Sequence, residues 1–123
     1  MYLLPTNLLF MTSQTQSAEL LTCYGFDVKH NEYHIIDWKT SRKFDTGNTR
    51  FPKYMKKPFD HVLYCNTAEY SLQLSLYAYI LEKYTSIKIS KMILIQIPNK
   101  DNPMPQVFRC MDFKNQIKNI LEG

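Results

Sequence analysis

Two residues with complementary chemistry, Asp37 and Lys39, follow a run of aromatic and apolar residues that starts at Tyr33. The run predicts a β-strand over residues 33–40, because it is rich in the residue types that strands favour. Side chains alternate between the two faces of a strand, so Asp37 and Lys39 are expected on one face and Trp38 on the other. A carboxylate and an amine fixed side by side can hold a hard metal ion and orient a water molecule. We also expect Lys39 to be exposed at this strand end.

A second acidic residue, Asp27, lies near the end of another predicted strand, over residues 20–28. A polar connection of hairpin length, residues 29–32, joins the two strands and predicts antiparallel pairing. We expect this hairpin to bring Asp27 and Asp37 together near one end. Cleavage of a phosphodiester needs an activated water and a neutralised phosphate, and Mg²⁺ serves both needs through carboxylate ligands. Asp27 and Asp37 are therefore the predicted ligands of Mg²⁺, or of Mn²⁺ in its place, and Lys39 is predicted to stabilise charge.

A helix is predicted over residues 66–84, beginning with Asn66 as its N-cap. Gln73 and Tyr77 are four residues apart on this helix, so their side chains project from one face about a turn apart. Both side chains can hydrogen-bond to a phosphate without carrying charge. Considered alone, the pair is also compatible with an ordinary helix surface.

Residues 42–57, which follow the second strand, are rich in basic residues, and Asp45 is the one acid among them. Phe44, Phe51 and Tyr54 are interleaved with the cations. Cations for phosphates and rings for stacked bases suit single-stranded or unwound nucleic acid. A plain solvated surface is the alternative interpretation. The candidate nucleic-acid-binding residues are Arg42, Lys43, Arg50, Lys53, Lys56 and Lys57.

The rest of the chain predicts a small mixed sheet with helices packed on it, an α/β arrangement. Residues 8–11 are a candidate short strand, and residues 88–97 a buried strand. Residues 106–111 are a further candidate strand, and residues 112–121 a short helix. A chain of this length is predicted to be a single domain, over residues 1–123.

Composition narrows the classes of protein to consider. The net charge of +4 is compatible with a polyanionic partner. Three cysteines without a Cys-x-x-Cys pair favour reduced thiols in a cytosol-like compartment and give no local zinc site. No apolar run approaches the ~20 residues that span a bilayer, so we expect no membrane association and a cytoplasmic location.

Three motifs occur together in one order along the chain: Gly25-Phe26-Asp27, then Ile35-Ile36-Asp37-Trp38-Lys39-Thr40, then Gln73-Leu74-Ser75-Leu76-Tyr77. Together they resemble the PD-(D/E)xK nuclease superfamily, and specifically its RecB-like branch. The resemblance covers residues 20–84, about half of the chain.

This resemblance implies a restriction-endonuclease-like core, with a small mixed sheet flanked by helices. It also implies that the backbone carbonyl of Trp38 adds a ligand to the metal, and that Gln73 and Tyr77 line the active site and assist catalysis. Members of the family begin with a helix before the first motif strand, and that helix is apparently missing here. We therefore expect that the chain pairs with another copy or with a larger nuclease partner, or is the truncated, C-terminal part of a longer nuclease.

Two hypotheses about function follow. The first is a Mg²⁺-dependent nuclease that hydrolyses DNA phosphodiester bonds, an exonuclease in recombination or repair, with RNA as an alternative substrate. The compact size suggests a recombination or repair accessory. A viral or phage origin is one option, and the protein would then act inside the host cell. The second is a catalytically inactive nuclease-fold module that binds nucleic acid or a protein partner, because a fold does not fix an activity.

Overall fold

A mixed β-sheet and two helices make up the part of the protein that this computed structural model describes, namely residues 8–14, 20–39, 44–98, 100 and 103–123. The α/β class with a small mixed sheet is confirmed. In chain order the elements are β1 (Leu8–Gln14), β2 (Leu20–Asp27), β3 (Glu32–Lys39), α1 (Asn66–Tyr84), β4 (Ile89–Gln96), β5 (Gln106–Arg109) and α2 (Lys114–Glu122).

The five strands lie in the sheet in the order of the sequence, β1-β2-β3-β4-β5. β1, β2 and β3 form an antiparallel meander, and β5 is antiparallel to β4. β3 and β4 are parallel, so the chain must cross back along the sheet between them, and α1 makes that crossing. The first element among the described residues is a strand, β1. Neither helix combines the length and apolar character needed to cross a bilayer, among those residues.

The main core lies between the sheet and α1. Ile35 of β3 and Leu94 of β4 are buried against Leu74 and Ala78 of the helix. β4 is buried almost throughout, as the continuous apolar run of its sequence predicts for a parallel strand covered by a helix. This packing presses the face of β3 that carries Ile35 against α1, and Asp37 and Lys39 lie on the same face because they are two and four residues further on.

A second apolar cluster holds α2 and the β3–α1 connection against the outer side of α1. Phe113 and Ile117 pack with Phe59 of the connection and with Ala68 of α1. The rings of Phe59 and Phe113 meet edge to face, with centroids 5.3 Å apart. The connection is thereby tied to the helical layer rather than left as a free loop.

The described part of the β3–α1 connection is ordered by its own backbone hydrogen bonds. Met55 N–H donates to Val62 and Tyr64 N–H donates to Lys53, each to the carbonyl oxygen, at 2.9 and 2.7 Å. Asp45 anchors the connection to the start of α1, because the Thr67 hydroxyl donates to its carbonyl at 2.6 Å. The predicted N-cap at Asn66 is wrong by one residue.

Cys65 takes the N-cap position and makes no side-chain cap bond. Instead, the Asp45 carboxylate accepts a hydrogen bond from the backbone N–H of Asn66 at 3.4 Å, and the Asn66 side chain accepts one from the Asp45 N–H at 2.8 Å. The Asn66 N–H in the first turn of α1 is thus satisfied by a residue distant in sequence, a contact that a local capping rule does not detect.

Candidate functional site

Asp37 and Lys39 form a buried ion pair at the carboxyl end of β3. The Lys39 ammonium lies 2.8 Å from Asp37 Oδ2, and the two side chains are 7% and 1% exposed. The Thr22 hydroxyl, on the facing residue of β2, donates a hydrogen bond to Asp37 Oδ1 at 2.9 Å. The expectation that Lys39 is exposed is therefore wrong, because its face of β3 is the one that α1 covers.

Tyr70 of α1 covers the same cation. The Lys39 ammonium lies 4.2 Å from the centroid of the Tyr70 ring, which is a cation–π contact. On the β4 side of β3, the buried residue Gln96 is the register partner of Lys39. Sequence reasoning assigned no functional role to Thr22, Tyr70 or Gln96. A place for Tyr70 near the predicted site follows from its spacing in the sequence, because it precedes Gln73 by three residues and so shares its helical face.

Asp27 lies far from Asp37, so the predicted convergence of the two carboxylates is wrong. In the hairpin register Asp27 faces Glu32 next to the turn, whereas Asp37 faces Thr22. Five residues separate Glu32 from Asp37 along β3, which is about 17 Å of strand. Because five is an odd number, Glu32 and Asp37 point to opposite faces of the sheet. Asp27 shares the face of its partner Glu32, so one metal ion cannot bind both Asp27 and Asp37.

Asp27 instead belongs to a polar cluster at the closed end of the hairpin. Its Oδ1 accepts hydrogen bonds from the backbone N–H groups of Lys29 and His30, at 3.1 and 3.2 Å, and its Oδ2 lies 2.8 Å from the His30 ring. The neighbouring Glu32 carboxylate lies 2.8 Å from Nε2 of His34, which holds the pKa of Glu32 below its ordinary value. Asp27, Glu32 and His34 could hold a metal ion, since their ligand atoms all lie within 4.8 Å of one another.

Gln73 and Tyr77 contact each other on α1. The Gln73 amide nitrogen donates to the Tyr77 hydroxyl at 3.1 Å, and Tyr77 packs at the margin of the main core. Their hydrogen bond confirms that the two side chains share a face, and their part in catalysis stays a prediction. Trp38 pairs with Leu21 and Ile95 on its two sides, so its carbonyl lies within the sheet rather than at a free edge.

The basic residues of the β3–α1 connection are exposed wherever the structure describes them. Arg50 lies over the ring of Phe51, 5.6 Å from its centroid. A groove of about 490 Å³ is lined in part by three lysines and two tyrosines. Arg42, Lys43 and Thr40 lie outside the described residues. The polar residues that line this basic groove are Lys53, Tyr54, Lys56, Lys57 and Tyr64.

Two buried thiols lie close enough to Asp37 to feel its charge. Burial raises the pKa of Cys110 to about 12, and the negative charge of Asp37 adds to the shift. Burial also raises the pKa of Cys23 above its ordinary value, again with a contribution from Asp37. Both thiols stay protonated at neutral pH, so neither has the thiolate character of a nucleophile or metal ligand.

Comparison of this chain with protein-family models, with curated proteins and with solved structures finds no match in any of the three.

Proposed function

We propose that this protein is a divalent-metal-dependent nuclease of restriction-endonuclease-like fold that hydrolyses DNA at a site built on Asp37 and Lys39. The observation that carries the proposal is the buried ion pair between them, 2.8 Å long, beneath the ring of Tyr70. A buried ion pair adds little to stability compared with apolar residues of the same size, so its presence favours a chemical role.

The position of this pair in the sheet supports the same conclusion. Lys39 and its register partner Gln96 lie at the carboxyl ends of two parallel strands, β3 and β4. Open α/β sheets bind their ligands at this edge. α1 crosses between those strands and therefore runs against them, with its N-terminal half toward Lys39.

Asp37 meets the minimum requirement of a magnesium site. Mg²⁺ is held by one or two carboxylates, and substrate phosphate oxygens and water fill its other positions. A bound Mg²⁺ would supply an acidified water and a counter-charge for the phosphate. Thr22, which donates to the second Asp37 oxygen, fixes the orientation of the carboxylate.

Lys39 is the residue that we assign to the transition state. In the absence of substrate its ammonium neutralises Asp37. When a phosphate enters, the ammonium can exchange this bond for one to a non-bridging phosphate oxygen, which frees the carboxylate for a cation. The face of the Tyr70 ring, whose centroid lies 4.2 Å from the ammonium, attracts the cation independently of Asp37 and so can hold it near the site during that exchange. We propose that Gln73 and Tyr77 assist as uncharged hydrogen-bonding groups for the substrate.

The basic groove supplies the path for the nucleic acid. Lys53, Lys56 and Lys57 are exposed cations beside the exposed rings of Tyr54 and Tyr64. Rings stack on the faces of unpaired bases and cations bind the backbone, so single-stranded or unwound DNA is the preferred form.

A second candidate function is nucleic-acid binding without cleavage, and one observation favours it. Asp27 lies on the opposite face of the sheet, so it does not supply the second acid that was predicted for the site. Among the described residues, the one cluster of three or more potential metal ligands includes Asp27 and excludes Asp37. A site with a single carboxylate binds Mg²⁺ more weakly than a site with two.

The deciding experiment measures cleavage and binding on the same samples. End-labelled single-stranded and duplex oligonucleotides are incubated with the protein and Mg²⁺, Mn²⁺ or a chelator, and anisotropy measures binding in parallel. We expect metal-dependent cleavage that falls at least ~10²-fold in Asp37→Asn and in Lys39→Met. Asp60→Asn is the matched control, because Asp60 is an exposed acid outside the site.

Each outcome supports or refutes a candidate function. Cleavage that Asp37→Asn abolishes supports the nuclease. Binding without cleavage, under all metal conditions, supports the second candidate and refutes the first. If DNA neither binds nor is cut, both candidates are refuted. Circular dichroism at the assay temperature verifies that each variant is folded, so that loss of activity is not loss of structure.

A further inference from the structure

The cluster at the closed end of the β2–β3 hairpin has the composition of a metal site. Asp27 and Glu32 face each other across the hairpin register, and His34 follows Glu32 by two residues on the same face of β3. One ligand atom from each residue lies within 4.8 Å of the other two. Three potential ligands are thus gathered from two hydrogen-bonded strands, which fix their relative positions more firmly than loops would.

His34 is directed into the cluster by its surroundings. Its side chain is fully buried, and its Nε2 lies 2.8 Å from Glu32 Oε1, so Nε2 is the nitrogen that would meet an ion. Nδ1, on the other side of the ring, has no hydrogen-bond partner. Nearly all buried polar atoms in proteins are paired, so the hydrogen bonding of this ring is incomplete as it stands.

We propose that Asp27, Glu32 and His34 bind one divalent transition-metal ion, with Zn²⁺ as the best fit, on the sheet face opposite Asp37 and Lys39. Two carboxylate oxygens and an imidazole nitrogen form a mixed oxygen–nitrogen set, which suits Zn²⁺ or Mn²⁺ better than Mg²⁺, whose ligands are oxygens. Tetrahedral Zn²⁺ with bonds near 2.0–2.2 Å sets its ligand atoms about 3.4 Å apart. The ligand atoms, which lie within 4.8 Å of one another, would have to move closer together to reach that spacing.

His30 is the candidate fourth ligand. Its Nδ1 lies 2.8 Å from Asp27 Oδ2, and its side chain is 55% exposed, so it can rotate to meet an ion. Lys91, whose ammonium lies 3.6 Å from Glu32 Oε1, gives way when the ion neutralises that carboxylate. Bound metal would then bridge β2, β3 and the turn between them, and this inference does not depend on the proposed nuclease activity.

The test adds each metal alone to chelator-treated protein. Calorimetry and elemental analysis give stoichiometry and affinity, and Co²⁺ in place of Zn²⁺ gives visible ligand-field bands that report nitrogen and oxygen ligation. We expect one Zn²⁺ per chain and a rise in Tm of about 8 °C at a hundredfold excess over Kd, because the ion binds the folded state. Mg²⁺ at the same concentration should produce no comparable shift.

Substitutions locate the ion. Glu32→Gln and His34→Gln should each weaken Zn²⁺ binding at least about 10-fold, while Asp60→Asn, at an exposed acid outside the cluster, should leave it unchanged. Glu32 is 25% exposed and its amide keeps the shape of the carboxylate, so this variant is informative even if His34→Gln fails to fold. Absence of stoichiometric Zn²⁺, Co²⁺ and Mn²⁺ binding would overturn the proposal. So would binding that survives Glu32→Gln, or binding that Asp60→Asn abolishes.

Discussion

Replacement of Lys39 by Met tests whether the Asp37–Lys39 pair is as deeply buried in solution as its geometry indicates. Methionine keeps most of the volume of the lysine side chain and removes the ammonium. The Asp37 carboxylate, 1% exposed, then retains only one of its two described partners, the Thr22 hydroxyl. Breaking a buried ion pair from one side costs about 3–5 kcal/mol of folding free energy, because the remaining charge is left without compensation.

Lys39→Met also removes the cation–π contact with Tyr70. This loss is part of the cost of breaking the ion pair and is not added to it, since the same ammonium makes both interactions. For a domain of this size, 3 kcal/mol corresponds to a fall in Tm of about 10 °C. The assay is urea unfolding at pH 7, followed by circular dichroism and by Trp38 fluorescence, with the free energy of unfolding taken from the linear extrapolation.

A second variant separates loss of charge compensation from loss of packing. In Asp37→Asn with Lys39→Met, no charge remains to be left unpaired, and the Thr22 hydroxyl keeps an acceptor. We expect this double variant to recover to within about 2 kcal/mol of the parent protein. A single Lys39→Met variant that loses less than about 1 kcal/mol would refute the reasoning, because that is the behaviour of an exposed pair. A double variant no better than the single would assign the loss to packing.

Two further predictions concern the basic groove and Cys110. Replacing Lys53, Lys56 and Lys57 by Ala should weaken the binding of single-stranded DNA. It should also reduce the slope of log binding constant against log salt concentration by about 2 units. An unchanged slope would show that the groove does not contact the DNA backbone. Because the pKa of Cys110 rises from 9.0 to about 12 on folding, its contribution to stability is complete below pH 9 and is lost as pH rises toward 12. Between those values it should lower the free energy of unfolding by about 1.4 kcal/mol per pH unit, and urea unfolding of Cys110→Ala should show a shallower decline. For the groove variant, the matched control replaces three exposed lysines elsewhere by Ala, namely Lys29, Lys88 and Lys118, and so removes the same charge.

Sequence patterns predict most of the fold because the strands are rich in aromatic and β-branched residues, and because residues 66–84 contain no glycine or proline to interrupt a helix. The predicted helix over residues 66–84 matches α1, and the predicted strand over residues 88–97 contains β4. The first strand is longer than predicted, Leu8–Gln14 rather than 8–11, because polar residues after Met11 continue the pairing with β2. Backbone hydrogen bonds to a neighbouring strand override local preference at such positions.

The candidate site was predictable in part. The shared face of Asp37 and Lys39 follows from alternation, but their burial depends on α1 covering that face, which alternation does not specify. The error over Asp27 had a signal in the sequence. A short turn after Asp27 makes it the partner of Glu32, and pairing then proceeds one residue at a time, so Asp37 meets Thr22. Counting the register, rather than noting that both acids end strands, would have separated them.

The parallel pairing of β3 with β4 also governs the order in which the chain can fold. β1, β2 and β3 pair with their neighbours in sequence, so the meander closes short loops. Asp37 and its partner Leu94, by contrast, are more than fifty residues apart, and joining them closes a loop that contains the whole connection and α1. The entropy cost of closing that loop is offset only when α1 packs on both strands. We therefore expect the meander to form first, and the edge at which Asp37 and Lys39 lie to be completed last.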